Sequence, residues 1–461
     1  MSLCKIKIFV TLAILVLFFG IINQGNTTHI SQVIATSTPN DYIVTQYWTW
    51  YTENNNPHWT HAQEVGGEPI LGYYSSHNPN VAAQHISQML GNSINALSVG
   101  FMMQAGDGTF WCGLDPDQAF QDGVMQAQNF EDIDFSISYD ICTRAWLVHL
   151  AEKQELDVVP GVEFIDPYIT AQGDTIPPSY DFSLQDSNGK YIYDELLLYD
   201  FKYMAENYFN ESNYLKINNQ AVVFIYDSWR FNNGGQGGPA DGFGRAFNRL
   251  RTEIFNEYGI KLYLVGDFMK YTTADQDKEY WFRDWGFYQH YDAVNSWNIV
   301  DGNYFSQWPL SSLSQYTNIA GQIHNQFRPA VQSATRGYRY WLPSNVKAAY
   351  GSENAAVDFI PLLSYSFGAL LGDENEENDM GFWSDQTDLS QLIAQAQMVK
   401  SQRDNSPLAE DSSTMVYHVA FNQWSELQVI EAAVEDNNEP FPAKYGWRYL
   451  GVTHGILGEG W

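Results

Sequence analysis

The chain of 461 residues has little positive charge and almost no cysteine. Lysine and arginine number 23 against 54 acidic residues, for a formal charge of −31. A surface that negative repels phosphate backbones, so nucleic acid is excluded as a partner, and anionic membranes and polyanionic substrates are disfavoured. Neutral or cationic partners remain. Three cysteines make neither a disulfide framework nor a zinc cluster. Cys4 lies just before an apolar run, and the spacing of Cys112 and Cys142 does not decide whether they pair. No Gly-rich phosphate loop follows the first strand pattern, and no Gly-x-Ser-x-Gly elbow occurs, so nucleotide and serine-hydrolase chemistry are unsupported. The acidic run Asp373–Asp379 lacks the glycine that an EF-hand needs at its sixth position. It reads as a solvated loop, and neither a metal nor a cofactor is expected.

Long hydrophobic runs are also missing, with one exception. Ile8–Ile22 is uncharged and apolar, Lys5 and Lys7 precede it, and small residues follow at Ala35–Ser37. This is the pattern of a secretory signal over 1–37, cleaved or kept as an N-terminal anchor, and it predicts a secreted or extracytoplasmic protein. No other segment is apolar enough to span a bilayer. Residues 38–461 contain no long linker and no repeat, and read as a single domain, expected to be monomeric.

What the chain does have is aromatic side chains: 15 Trp, 30 Tyr and 27 Phe. That is more than a core needs and points to aromatics lining a cleft. Strand-like apolar runs are expected at Tyr42–Trp50, Ala96–Met103, Asp134–Tyr139, Leu156–Phe164, Ala221–Tyr226, Lys261–Val265, Asp292–Val294, Phe359–Leu363 and Thr414–Phe421. Helical patterns lie between them, at Asn80–Leu90, Tyr199–Tyr208, Gly242–Tyr258, Ser311–Phe327 and Leu389–Arg403. Runs buried on both faces and alternating with helices indicate a parallel sheet covered by helices. The number of units over this length predicts an α/β fold, a (β/α)8 TIM barrel with long loop insertions. A doubly wound open sheet is the alternative.

In such barrels the chemistry sits at the C-terminal ends of the strands. The first run ends in Trp48-Thr49-Trp50-Tyr51, with His58 and Trp59 soon after. Others close with Tyr139-Asp140, with Glu163 and Asp166, with Tyr226-Asp227, and with Asp267. The last closes with Asn422-Gln423-Trp424-Ser425-Glu426. Carboxylates beside aromatics fit sugars, because pyranose C–H faces stack on rings while carboxylates bind hydroxyls and move protons. Any one of these acids is accounted for equally well as a cap on the following helix; the recurrence is what points to a site.

Three islands carry a family resemblance. They are Gln46–Tyr51 with His58-Trp59 and Glu68–Ser76, then Tyr214–Ser228, then Phe421–Glu426 with Ile430–Ala433. Together they resemble the family-99 glycoside hydrolases, the endo-α-mannosidase-like barrels, in the family's order. Residues 145–190, which include Glu163, look like an insertion. The resemblance implies a final motif of the form Asn-Glu-Trp-x-Glu, whose second Glu is the general acid/base. Its first Glu assists attack by the neighbouring 2-hydroxyl, through a 1,2-anhydro sugar. Glu426 matches the acid/base, and Gln423 stands where the first carboxylate is expected. An amide orients a hydroxyl but cannot take its proton. Asp140 and Asp227 then become candidates for catalysis with Glu426. Gln423, Asn422, Trp424, Trp48, Trp50, Tyr51, His58, Tyr226 and Glu163 are candidates for holding an oligo- or polysaccharide. A glycosidase with a relocated base, a sugar-binding protein that lost the base, and a barrel unrelated to carbohydrate are the three readings. The sugar, its linkage and the anomeric outcome are left open by the sequence.

Overall fold

The computed structural model describes residues 41–52, 59, 68–101, 115–140, 144, 159–162, 182–226, 228, 242–267, 288–295, 331, 333–351, 355–364, 367–369, 380–382, 389–405, 414–423 and 428–429. The leader, both later cysteines, the acidic run at 373–379 and the expected helix Ser311–Phe327 lie outside the described residues. One compact unit spans Tyr42–Glu459; another groups Met1–Asp41 with Gly460–Trp461, and only Asp41 of it is described.

Eight parallel strands form the core. β1 is Asp41–Tyr47, β2 Ala96–Phe101, β3 Asp134–Asp140, β4 Gln220–Tyr226, β5 Lys261–Asp267 and β6 Ala293–Asn295. β7 consists of two segments, Asp358–Phe359 and Leu362–Ser364, and β8 is Thr414–Val419. The ladder runs β8–β1–β2–β3–β4–β5–β6, with the first segment of β7 on β6 and the second on β8. The two ends of the ladder are therefore halves of one strand, separated by Ile360 and Pro361. Proline has no N–H to give a ladder. The carbonyl of Pro361 nevertheless accepts from Tyr417 N at 3.0 Å, while Ile360 N donates to Val294 O at 2.9 Å. The ring closes, giving a (β/α)8 barrel.

The outer helices follow from the same pattern of buried faces. α1, Pro79–Leu90, starts where the Asn78 side chain accepts from Asn80 N and proline fills the first turn. α2 is the short Pro116–Ala119, and α3 is Ile192–Asn207, beginning seven residues before its expected start. α4, Gly242–Tyr258, buries Phe247, Leu250 and Ile254 at helical spacing and stops at Gly259, which takes φ +71. α5 is Ser344–Tyr350 and α6 Leu389–Asp404. A short strand, Lys216–Ile217, turns through Asn218 and Asn219, both at positive φ, into β4.

One expected strand is corrected. Val159–Val162, inside the Leu156–Phe164 run, is a turn: Val162 N donates to Val159 O at 3.0 Å and Gly161 takes φ +72. The Pro160-Gly161 pair overrides the apolar pattern, since proline presets the turn and only glycine enters the left-handed region freely.

Candidate active site at the barrel mouth

The direction of the side chains follows from contacts across the barrel. Tyr417 of β8 lies against Phe224 of β4, ring centroids 4.6 Å apart, although these strands are opposite in the ring. The Tyr417 hydroxyl also lies near the hydroxyls of Ser98 of β2 and Ser138 of β3. Phe224, Ser98 and Ser138 therefore point inward. Side chains alternate along a strand, so Gly100, Asp140 and Tyr226, two residues further on, face inward as well. Burial pushes the Tyr417 phenol far up, the nearby Asp267 carboxylate adds to this, and the serine hydroxyls oppose it.

The register then assembles a row. Asp140 stands opposite Tyr226, the Ile225–Gly266 pair places Tyr226 beside Asp267, and Asp267 stands opposite Asn295. Four neighbouring strands thus present Asp, Tyr, Asp and Asn at one level, at the C-terminal rim. Adjacent members are separated by about 4.8 Å along the sheet. Asp140, Asp267 and Asn295 are all buried, and Tyr226 is half-buried. Ser228 fixes the middle of the row: its hydroxyl donates to Ile225 O at 2.7 Å and accepts from Asp267 N at 3.0 Å.

On the other side of the mouth stands an aromatic pair. Trp48 and Trp50 stack with centroids 4.1 Å apart and planes 5° from parallel. Trp48 lies over β2 because Gly100 has no side chain. A Cβ there would come within 2.4 Å of the Trp48 ring. Asn422 fixes the Trp48 backbone, accepting from its N–H at 2.8 Å and donating to its carbonyl at 2.9 Å. Tyr51 is fully buried behind this pair and donates to Asn422 O at 2.6 Å, while stacking on Trp59.

Among the described residues of this rim, Trp48 Nε1, a donor, and Asn295 Oδ1, an acceptor, are buried without a hydrogen-bond partner. An unpaired buried group calls for an explanation, and a bound water, ion or ligand is one. A sugar hydroxyl both donates and accepts.

The structure thus brings together Trp48, Trp50, Asp140, Tyr226 and Asn422 of the residues expected from sequence. It sets Tyr51 behind them. The backbone of Gln423 pairs with Gln428 in a short antiparallel ribbon beyond β8. Glu426, Asp227, Trp424, His58 and Glu163 lie outside the described residues. Sequence reasoning missed Asn295, Gly100 and Ser228. Asn295 was findable, as the polar residue ending a strand one register step from Asp267. Gly100 and Ser228 carry no sequence signal, because their roles depend on neighbours across the sheet. Among the described residues no three His, Cys, Asp or Glu side chains group to hold a metal ion, and no helix is long and apolar enough to cross a membrane.

No protein-family model matches the chain, and no curated protein does. Solved structures do. A glycoside hydrolase-like protein aligns over 93% of this chain and 98% of its own length, with a TM-score of 0.56 and 16% identity. The family-99 endo-α-mannosidase of Bacteroides thetaiotaomicron aligns over 92% and 98%, with a TM-score of 0.49 and 14% identity. The similarity is one of fold.

Proposed function

We propose that the chain is a secreted glycoside hydrolase acting on a neutral polysaccharide or glycan, in the manner of an endo-α-mannosidase, with Glu426 as general acid/base. The observation that carries this reading is the barrel rim itself. A stacked tryptophan pair faces a row that includes two carboxylates, and the rim holds an unsatisfied donor and an unsatisfied acceptor. Rings bind the apolar faces of a pyranose, and the polar row bonds its hydroxyls. The negative surface fits a neutral substrate. The glycoside hydrolase-like protein of similar fold supports the same class of reaction, and the endo-α-mannosidase-like character comes from the sequence motifs around Trp48, Asp227 and Glu426.

Gln423 favours a second reading, a carbohydrate-binding protein that has lost catalysis. Incubation of the purified protein with neutral α-mannans and other neutral polysaccharides, with detection of new reducing ends, separates the two. Release of oligosaccharides supports the hydrolase. Saturable binding without release supports the second reading, and neither binding nor release overturns both.

A further inference from the structure

Resting on the reading of the rim as a sugar site, we infer that Thr49 is a positioning residue for the substrate: its hydroxyl ties the backbone between Trp48 and Trp50 to α2 and so keeps the two indoles stacked for a pyranose. Thr49 donates from Oγ1 to the Pro116 carbonyl at 2.8 Å, and Trp48, Thr49 and Trp50 are all buried. β1 ends at Tyr47, so the strand ladder stops short of these residues. Other segments hold them instead. Asn422 takes both backbone groups of Trp48. Ser76 takes both of Tyr51: its Oγ accepts from Tyr51 N at 3.1 Å, and its N–H donates to Tyr51 O at 2.9 Å. Thr49 is the tether between these two clamps.

The far end of the tether is itself fixed. Pro116 opens α2, and the Asp115 side chain caps it, accepting from Gln118 N at 3.0 Å. The Asp117 carboxylate accepts from the hydroxyls of Tyr203 on α3 and Tyr208 just beyond it, and from Gln121 Nε2 at 3.1 Å. The Pro116 carbonyl also accepts from Phe120 N, and its second lone pair serves Thr49. α2 runs directly into a π-helical turn, Phe120–Val124, in which Met125 N donates to Phe120 O at 3.0 Å. Gly123 of that turn lies against Ser76, where a Cβ would come within 1.9 Å of the carbonyl oxygen. The segment 116–124 thus backs two anchors of the tryptophan pair, Thr49 by a hydrogen bond and Ser76 by contact. Such π turns are rare and frequently mark functional sites.

These bonds lie beyond the end of β1 and add nothing to the strand ladder. What they fix is the placement of two rings at the mouth. Without the tether, the backbone between the clamps gains freedom, and a pair that must be ordered again on binding loses affinity.

The test compares Thr49→Val, which keeps the branched Cβ but has no hydroxyl, with Thr49→Ser, which keeps the hydroxyl. Stacked indoles couple their ultraviolet transitions, so the circular-dichroism difference between the parent and Trp48→Phe isolates the signal of the pair. In Thr49→Val that signal should move toward the Trp48→Phe spectrum. Affinity for neutral oligosaccharides, prepared from the polysaccharides named above and titrated by calorimetry, should fall by about five- to tenfold, in line with one hydrogen bond. Thr49→Ser should restore both. A lowered thermal midpoint with pair signal and affinity unchanged would make Thr49 a packing residue and overturn the inference. Should Thr49→Val not fold, the double variant Tyr203→Phe/Tyr208→Phe decides. It loosens α2 from α3 without touching the wall and should shift both readings in the same direction, and no shift in either overturns the inference. A parent that binds no neutral oligosaccharide removes the sugar reading, and this inference with it. A parent that binds, with affinity unchanged in Thr49→Val, overturns this inference alone.

Discussion

Asn422 grips Trp48 by both ends of its amide, at 2.8 Å to the backbone N–H and 2.9 Å to the carbonyl. This joins the segment leaving the last strand to the one leaving the first, at the seam where the barrel mouth carries its aromatic wall. Asn422→Ala leaves both backbone groups buried and unpaired, and each such loss costs about 1–3 kcal/mol. Denaturant unfolding should show a total loss of about 2–4 kcal/mol. Asn422→Asp keeps the acceptor but loses the donor, and should lose at least as much, because it also buries a charge. A loss below about 0.5 kcal/mol in both variants would show that the clamp does not hold the seam.

Gly100 sits under the Trp48 ring with no room for a methyl group. Gly100→Ala should push the indole off β2, with a stability loss of about 1–3 kcal/mol from overpacking. Oligosaccharide affinity, measured by titration calorimetry, should fall more steeply than in a control such as Gly189→Ala, at a turn with nothing near the new Cβ. Equal affinities would place Trp48 outside the sugar site.

Much of this was legible in the sequence. The expected strand runs at Ala221–Tyr226 and Lys261–Val265 correspond to β4 and β5, because fully buried strands are written as unbroken apolar segments. α4 has its expected bounds, since its apolar spacing and its stop at Gly259 agree. The Leu156–Phe164 run misled because Pro160-Gly161 dictates the backbone locally, whatever the apolar residues around it. The rim row could not be read in advance. It depends on register: only the pairing of Asp140 with Tyr226 and of Asp267 with Asn295 shows that residues up to 155 positions apart share one level. Nor does composition tell that Trp48 Nε1 and Asn295 Oδ1 lack partners.

Asp134, at the N-terminal end of β3, titrates abnormally. Burial raises its carboxyl from 3.8 to about 6, against the opposing effect of the Tyr42 hydroxyl. A carboxylate whose pKa is higher folded than unfolded opposes folding once it must ionise. Well below pH 3.8 both states are protonated and the group contributes nothing; the penalty sets in as pH rises through 3.8, grows toward 6 and is complete above it. At about 1.4 kcal/mol per pKa unit, partial solvation brings the penalty to about 2 kcal/mol. Asp134→Asn should therefore stabilise the protein at pH 8 and do so far less at pH 4. A gain that is the same at both values would rule out this origin.

Arg144 and Asp200 form a buried pair whose effect extends to the rim. Asp200 accepts from Arg144 Nε at 2.8 Å and Nη2 at 2.7 Å, and from the Tyr139 hydroxyl at 2.7 Å. Tyr139 immediately precedes Asp140, so α3 anchors the end of β3 on its outer face. Asp200→Ala takes this carboxylate away from a buried guanidinium and should cost about 3–5 kcal/mol. Tyr139→Phe should cost only about 1 kcal/mol, and it tests the anchoring. If Tyr139 positions Asp140, sugar affinity should fall in Tyr139→Phe by severalfold, with the thermal midpoint little changed. Unaltered affinity would confine Tyr139 to packing.

The Trp48 indole offers a test in which stability and binding part company. Its N–H is buried and has no partner. In the free protein that donor is a liability, because burial of an unsatisfied polar group costs about 1–3 kcal/mol. Trp48→Phe removes the liability and also removes packing volume, and the two effects oppose each other. Net stability should therefore change by less than about 1 kcal/mol, whereas an ordinary large-to-small core change costs more. The bound state should behave differently. If a sugar hydroxyl or ring oxygen accepts from Nε1, Trp48→Phe loses that hydrogen bond while keeping an aromatic face against Trp50. Affinity should then drop by about 5- to 30-fold, in step with a hydrogen bond worth about 1–2 kcal/mol. Calorimetric titration beside a thermal melt measures both quantities on one preparation. A large loss of stability with unchanged affinity would make Trp48 a core residue and move the sugar away from this wall.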